Sequence, residues 1–183
     1  MIWWGYFCIR AEKGCGCMAV IKTAILQTHV YMDKSRNITQ AAEILARPEL
    51  QGIDLAVLPE MFCCPYENKY FPEYAEAEGG DTWEKCSRLA AERGIYLIAG
   101  SMPERDEAGR IYNTSYVFDR NGHQIGKHRK MHLFDIDVKG GQYFKESDTL
   151  TPGDQVTVFD TEFGKMGLCI CYDFRFPELA RLM

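Results

Sequence analysis

Glu60, Lys130 and Cys171 could supply a general base, a cation and a nucleophile. Glu60 follows Leu-Pro at the end of the apolar run 53–58, and ligands of open α/β sheets bind at the carboxyl ends of strands. Lys130 lies in the basic segment His-Arg-Lys-Met-His, and Cys171 ends the apolar run 166–171. A thiolate is the reactive form of cysteine, and a nearby lysine or a helix N-terminus favours it.

Each of these residues also has a structural interpretation. A glutamate after a strand is commonly a solvated loop residue, and the basic segment also suits a surface turn or an anion patch. His128 and His132 within that segment are candidate ligands, although histidines in loops are more often surface or hydrogen-bonded residues. Cysteines in apolar strands are commonly buried and inert.

Between Cys169 and Cys171 we favour Cys171 as the nucleophile. On one strand both thiols would point the same way, but Cys169 would lie one step deeper and away from the turn. Cys171 precedes Tyr-Asp and a helix opened by Pro177, so we expect a sharp strand-to-helix turn at this thiol.

Strand–helix units must position these residues in the first half of the chain. Residues 37–46 show helical spacing before Pro48, and Asp81-Thr-Trp-Glu84 resembles a capping box for a helix that Gly94 ends. The predicted strands of this half are 19–27, 53–58 and 95–99. Asn121-Gly122 and Glu162-Phe-Gly164 then predict hairpins. Strand–helix units followed by hairpins indicate an α/β protein with a mixed sheet.

The composition is that of an ordinary globular domain. The 183 residues carry a net charge of -5 with 46% hydrophobic residues, which excludes a disordered tail or a fibrous repeat. The acidic balance argues against nucleic-acid binding, and no apolar stretch approaches the ~20 residues that span a bilayer. We therefore expect neither a nucleic-acid nor a membrane partner.

Residues 1–17 form an N-terminal extension of unknown role. They lack the basic start and the cleavage site of a secretory signal, so we expect a cytoplasmic protein with reduced thiols. Cys15-Gly-Cys17 with Cys63-Cys64 is the one candidate zinc site, but its spacing is not C-x₂-C. We expect no metal and no cofactor.

Three motifs together resemble the carbon–nitrogen hydrolase (nitrilase) superfamily. They are LPEMF around Glu60, HRKMHLFD around Lys130 and GLCICYDFRFPEL around Cys171, and the resemblance runs over residues 18–183. It implies a four-layer α-β-β-α sandwich with mixed sheets. That fold is incomplete at the C-terminus, because the family's domain continues beyond its cysteine motif. We therefore expect 18–183 to be the N-terminal part of a truncated domain, and expect the isolated chain to fold poorly or aggregate.

The resemblance also implies roles for site residues. Glu60, Lys130 and Cys171 match the family's catalytic triad, and Glu146 matches a second glutamate that orients the lysine or assists proton transfer. The backbone N–H of Tyr172 would stabilise the oxyanion. The residues after it, Asp173, Arg175 and Glu178, would hold the turn, with Arg175 in an ion pair.

Within the superfamily the sequence is most similar to the omega-amidase (Nit2-like) branch. NKYFPEYAE, IYLIAGSMPE, IYNTSYVF and HLFDIDV carry this similarity. It implies hydrolysis of a small carboxylated amide, such as 2-oxoglutaramate or 2-oxosuccinamate, with Arg129 or Arg175 as candidate partners of the carboxylate. A homodimer or larger homo-oligomer is also implied. The alternatives are an N-carbamoyl amine amidohydrolase, a nitrilase, or a non-catalytic truncated fragment that associates with a full-length partner.

Overall fold

A computed structural model describes the backbone of residues 2–9 and 19–183, and the side chains from residue 20 onward. The strands are β1 (Ile2–Ile9), β2 (Ala19–Leu26), β3 (Leu55–Val57), β4 (Tyr96–Ile98), β5 (Met102–Arg105), β6 (Ile111–Phe118), β7 (Gln124–Arg129), β8 (Asp135–Asp137), β9 (Tyr143–Lys145), β10 (Thr157–Thr161) and β11 (Gly164–Leu168). The α-helices are α1 (Lys34–Leu45), α2 (Phe71–Tyr74), α3 (Asp81–Arg93) and α4 (Pro177–Leu182). Short 3₁₀ helices span Pro48–Leu50, Glu146–Asp148 and Cys171–Arg175.

The main sheet is mixed, as the sequence predicts. Its strand order is β1-β2-β3-β4-β6-β5, with β7 paired to β6. Strands β2, β3 and β4 run parallel, and the other pairs are antiparallel. The parallel strands end at one edge of the sheet. The last residue of β7 lies close to that edge, beside the middle of β6.

Helices α1 and α3 cover one face of the main sheet. Each presents a buried apolar stripe at helical spacing, which removes apolar surface from water and stabilises the layer. The shared core consists of Ile38, Ala41, Leu45, Cys86, Leu89 and Ala90 from the helices, with Ala24, Leu26, Ala56, Leu97, Tyr116 and Phe118 from the sheet.

The hairpin β10–β11 forms a second sheet on the opposite face. Phe159 and Leu168 pack with Val117 of β6, and residues from β4 and β7 border this cluster. Met183, which follows α4, lies against Gly167 of β11. The chain is thus a mixed α/β structure in layers, with helices, the main sheet and a second sheet in that order.

The structure corrects the predicted helix starts. Helix α1 begins at Lys34, three residues before the predicted start, because the Asp33 carboxylate accepts the N–H of Ser35 at 2.9 Å as its N-cap. The predicted capping box at α3 does not form. Asp81 lies inside the helix, and the Glu76 carboxylate accepts both the backbone N–H and the hydroxyl of Thr82.

Other predicted elements are confirmed. Gly94 ends α3 with a φ of 61°, and both predicted hairpins form, with Gly122 at a φ of 81° in the first of them. The strand predicted at 53–58 is shorter in the structure, where β3 spans Leu55–Val57. The part of the extension at residues 2–9 forms β1 against β2, whereas Cys15 and Cys17 lie outside the described residues. No helix within the described ranges is long and apolar enough to cross a membrane.

Gly100, just after β4, allows two chain segments to approach closely. Its φ is 53°, and a Cβ there would lie 2.0 Å from the carbonyl oxygen of Pro59. We expect Gly100→Ala to lower the free energy of unfolding by about 3 kcal/mol or more, from left-handed strain plus overpacking.

Gly109 provides the matched control, because its φ is 80° and nothing lies within 4 Å of its missing Cβ. Gly109→Ala should cost only about 1–2 kcal/mol, the left-handed strain alone. Urea unfolding of both variants measures the difference. Equal losses would show that the close approach to Pro59 carries no cost.

Candidate active site

The turn after β3 presents the Glu60 carboxylate. Ser101 holds this turn, because its hydroxyl accepts the N–H of Met61 at 3.0 Å and its carbonyl oxygen accepts the N–H of Phe62. Met61 has a φ of 49°, which few residues other than glycine adopt. The Glu60 side chain remains 21% exposed, so the turn points a carboxylate toward open space at the strand end.

Lys130 follows β7 directly and its side chain is completely buried. Its Nζ lies 2.8 Å from Glu60 Oε1 and 2.9 Å from Glu146 Oε2. Burial lowers the pKa of Lys130, but the two carboxylates outweigh burial and hold that pKa above its usual value. Lys130 is therefore an ammonium ion held between two glutamates.

Glu146 begins the 3₁₀ helix Glu146–Asp148 and is also completely buried. Besides Lys130, its carboxylate accepts the N–H of Phe134 at 2.6 Å and the hydroxyl of Tyr66 at 2.7 Å. Burial and the negative charge of Glu60 raise the pKa of Tyr66, so its hydroxyl keeps its proton and donates. Glu146 thus has donors on both oxygens, as a buried carboxylate requires.

Cys171 does not lie on a strand. Strand β11 ends at Leu168, and Cys171 is the first residue of the 3₁₀ helix Cys171–Arg175, with a φ of 46°. The predicted sharp turn is confirmed. Cys169 and Cys171 are both exposed residues, so the alternative of buried, inert cysteines is wrong. Burial alternates along β11, so Leu168 and Ile170 face the core while Cys169 faces away from it.

The Cys171 thiol and Glu60 line the same cavity, and the negative charge of Glu60 acts on the thiol. Partial burial is the largest cause that raises the pKa of Cys171 to about 11, and Glu60 acts in the same direction. Lys130 lowers this pKa by less. The expectation that the turn favours the thiolate is therefore wrong, because partial burial and the nearby carboxylates outweigh the lysine.

Asp173 fastens the Cys171 turn to the Lys130 segment. Its completely buried carboxylate accepts the N–H of Ile170 at 3.0 Å and, across the site, those of Met131 and His132 at 3.2 and 2.9 Å. His128 Nε2 also lies 3.0 Å from it. Burial opposes ionisation, but the donors from His128, Ile170 and His132 lower the pKa of Asp173 to about 2.

A cavity of about 280 Å³ opens beside the thiol. Glu60 and Cys171 lie at its polar end, and Val57, Ile98 and Leu168 are among its apolar walls. A reacting group placed there would contact the carboxylate and the sulfur together. In this arrangement a proton can pass between the Cys171 sulfur and the Glu60 carboxylate, while Lys130 supplies a fixed positive charge nearby.

The family comparison agrees with these motifs. The model described as carbon-nitrogen hydrolase matches residues 22–183, most of the chain. The chain belongs to the carbon-nitrogen hydrolase family. Omega-amidase NIT2 of Bos taurus and of Homo sapiens are each 48% identical to it over 165 residues. Those residues are 90% of this chain and 59% of each relative, so the chain spans only that share of their length.

Solved structures show the same fold. Nit3 of Saccharomyces cerevisiae, a nitrilase-superfamily member, superposes with a TM-score of 0.79 at 40% identity, over 88% of this chain and 59% of that one. An amidase from Nesterenkonia sp. superposes with a TM-score of 0.74 at 26% identity, over the same shares. The nitrilase-type fold expected from the motifs is confirmed.

One residue of this carbon-nitrogen hydrolase site was not predicted from the sequence. Asn113 donates its side-chain amide to Glu60 Oε1 at 2.8 Å, although nothing around it in the sequence marks it as more than a strand residue. Asp173 holds the turn, as expected. Arg175 is exposed and forms no ion pair with the side chains of residues 20–183, so the expected Arg175 ion pair is wrong.

Other candidates lie apart from the site. Arg129 points to the opposite face of β7, where Glu104 binds it at 2.7 Å. Cys63 and Cys64 are buried in two separate apolar clusters. Among the described side chains, no group of three or more histidine, cysteine, aspartate or glutamate residues is arranged to hold a metal ion.

Replacing Asp173 should loosen the junction between the two segments. We expect Asp173→Asn to lower the free energy of unfolding by about 3 kcal/mol at pH 7, because it removes a buried carboxylate charge that accepts from the N–H groups of Ile170, Met131 and His132. The lowered pKa of Asp173 means that its contribution is complete above the ordinary value of 3.8 and disappears as pH falls toward 2.

Urea unfolding of wild type and Asp173→Asn from pH 7 down to pH 2 measures this contribution. The difference between them should shrink below about pH 4. Asp160→Asn, at a side chain that is 80% exposed, should change stability by less than about 0.5 kcal/mol. A difference for Asp173→Asn that stays constant over this pH range would contradict an ionised Asp173.

Because the pKa of Cys171 is raised, we expect the alkylation rate of this thiol to keep rising to a higher pH than that of an ordinary cysteine. In a Cys169→Ser background, the iodoacetamide rate at Cys171 should still rise at pH 10, where a thiol with the ordinary pKa of 9.0 approaches its plateau. Glu60→Gln removes a negative charge from the thiol, so its profile should shift to lower pH. Mass spectrometry of the Cys171 peptide measures both rates, and a plateau reached by pH 10 in the parent protein would refute the raised pKa.

Proposed function

We propose that this protein hydrolyses the terminal amide of a small carboxylated substrate, as an omega-amidase would, through a thioester on Cys171. One observation carries the proposal: buried Lys130 lies between Glu60 and Glu146, and Glu60 lines the same cavity as the Cys171 thiol. The 48% identity to omega-amidase NIT2 supports the substrate class. Under this proposal 2-oxoglutaramate and 2-oxosuccinamate are the first substrates to test.

The first step is attack by sulfur on the amide carbon. With a pKa of about 11 the Cys171 thiol is neutral at pH 7, so Glu60 takes its proton as the carbon–sulfur bond forms. The carbonyl electron pair moves to oxygen and gives a tetrahedral oxyanion. Attack and proton transfer are therefore coupled.

The oxyanion needs donors that are already in place. Lys130 is charged and fixed by two carboxylates, and it supplies positive charge near the reacting carbon. Tyr172 is the second residue of a 3₁₀ helix, so its N–H has no partner within that helix and is free to donate. Such donors cost no reorganisation during the reaction.

Collapse of the oxyanion breaks the carbon–nitrogen bond. Glu60 returns its proton to the leaving nitrogen, which departs as ammonia and leaves a thioester on Cys171. Glu60 then takes a proton from water as the water oxygen attacks the thioester carbon. The carboxylic acid product leaves, and the proton returns to the sulfur. Throughout, Glu146 holds Lys130 in position.

The substrate carboxylate needs a cation. Arg129 is already bound by Glu104 on the far face of β7, which leaves Arg175 of the two arginines considered. Arg175 is exposed and lies four residues after the nucleophile. We assign it this role within the proposal, and the expected homo-oligomer and cytoplasmic location also remain predictions.

Removing the nucleophile or the ammonium should abolish hydrolysis. We expect Cys171→Ala to release no ammonia and Lys130→Ala to retain less than about a tenth of wild-type kcat, since losing an oxyanion donor costs about 10²–10³-fold. Lys127→Ala is the matched control. Lys127 lies on β7, three residues before Lys130, but pairs with Glu78 and Glu104, away from the thiol, so its loss should leave kcat within about twofold.

Ammonia release is measured on 2-oxoglutaramate, 2-oxosuccinamate, an N-carbamoyl amine, glutamine and a simple nitrile, with circular dichroism to verify folding. Release from the two oxo-acid amides alone supports the omega-amidase proposal. Release only from the carbamoyl amine or the nitrile replaces the substrate class. Folded protein that is inactive on every member overturns the proposal and favours a non-catalytic, associating fragment.

A further inference from the structure

The two oxygens of the Glu60 carboxylate are not equivalent in this site. Oε1 accepts from Lys130 Nζ at 2.8 Å and from Asn113 Nδ2, also at 2.8 Å. Two donors occupy the two lone pairs of that oxygen. The oxygen left for a proton from sulfur is therefore Oε2.

Lys130 alone would not make this distinction. Its ammonium group is a compact charge with three donors and no fixed plane, and at Glu146 it contacts both oxygens, at 3.1 Å for Oε1 and 2.9 Å for Oε2. An ammonium bridging both oxygens of Glu60 in the same way would occupy the base. The planar amide of Asn113 can approach only one of those oxygens, because its position in β6 is fixed.

We propose that Asn113 is a positioning residue that selects Oε2 of Glu60 as the proton acceptor for Cys171. This inference rests on the proposed function, in which Glu60 is the general base. Asn113 acts through Glu60, so it is not itself a catalytic residue.

The surroundings of Asn113 fix its orientation. Its side chain is completely buried, its backbone oxygen accepts the N–H of Lys130 at 2.8 Å, and its Nδ2 also lies 3.5 Å from Glu146 Oε1. Because both carboxylates accept hydrogen bonds, the NH₂ side of the amide must face them. Asn113 Oδ1 accordingly points away and has no hydrogen-bond partner.

The orphaned Oδ1 shows that this orientation has a cost. A buried acceptor without a partner costs about 1–3 kcal/mol. A leucine, with the same branched shape and somewhat more bulk, would avoid that cost and still fill the space. An asparagine at this position is therefore explained by its contact with Glu60 rather than by packing.

Asn113→Leu tests the inference because it removes the donor and keeps the branched shape of the side chain, with somewhat more bulk. We expect kcat for the amide to fall about 10- to 100-fold, the effect of a misplaced reacting group, with KM within about threefold. Asn113→Ala removes the same donor without adding bulk and serves where the leucine variant is too unstable to purify.

Thr114→Val is the matched control. Thr114 is the next residue of β6 and is equally buried, but its hydroxyl donates to Glu104 at 2.6 Å on the other face of the sheet. Thr114→Val therefore also takes one donor from a buried carboxylate. Its melting temperature should fall at least as far as that of Asn113→Leu, while its kcat stays within about twofold of wild type.

A crystal structure of Asn113→Leu supplies a readout that does not depend on turnover. We expect either a rotated Glu60 carboxylate or Lys130 Nζ within about 3.2 Å of both Glu60 oxygens. Unchanged Glu60 geometry overturns the inference, and so does an unchanged kcat. Where the wild-type protein hydrolyses no amide the proposed function fails by itself, and the geometry of Glu60 alone then decides the role of Asn113.

Discussion

The burial of one ammonium group constrains the whole site. Removing a lysine charge from water costs several kcal/mol unless anions and hydrogen bonds compensate for it, and Lys130 is completely buried. Compensation comes from Glu60 and Glu146, which lie 70 and 16 residues away along the chain. The ends of β3 and β7 and the segment after β9 must therefore meet within a few ångströms of one another.

Two residues outside the charged cluster hold these segments together. Gly100 lets the β4 end approach the Glu60 turn, and Asp173 ties the nucleophile turn to the segment after Lys130. Neither residue supplies a side-chain group to the proposed reaction. Both determine whether the thiol is presented at a reactive distance from its base.

The strand ends could be predicted because a short apolar run followed by a polar residue has few interpretations in an α/β chain. Glu60 was predicted in this way, whereas Lys130 was marked by its basic segment, and the order of the three motifs then indicated the family. The conformation of Cys171 was less accessible, since the chain leaves β11 three residues before the predicted end. The direction of its pKa shift required knowing that partial burial and two carboxylates outweigh one lysine. Asn113 had no local signal, because its significance lies in a contact 53 residues away.

The long spacing of these contacts has a consequence for the folding pathway. Sheet formation around β6 and β7 brings the Lys130 backbone into place through Asn113, whereas the Glu60 turn and the segment of Glu146 come from opposite sides in sequence. An intermediate that closed over Lys130 before both carboxylates arrived would trap an uncompensated charge at a cost of several kcal/mol. Early compact states must therefore keep the end of β7 hydrated. Water should leave this region only in the last cooperative step, together with docking of the β3 turn.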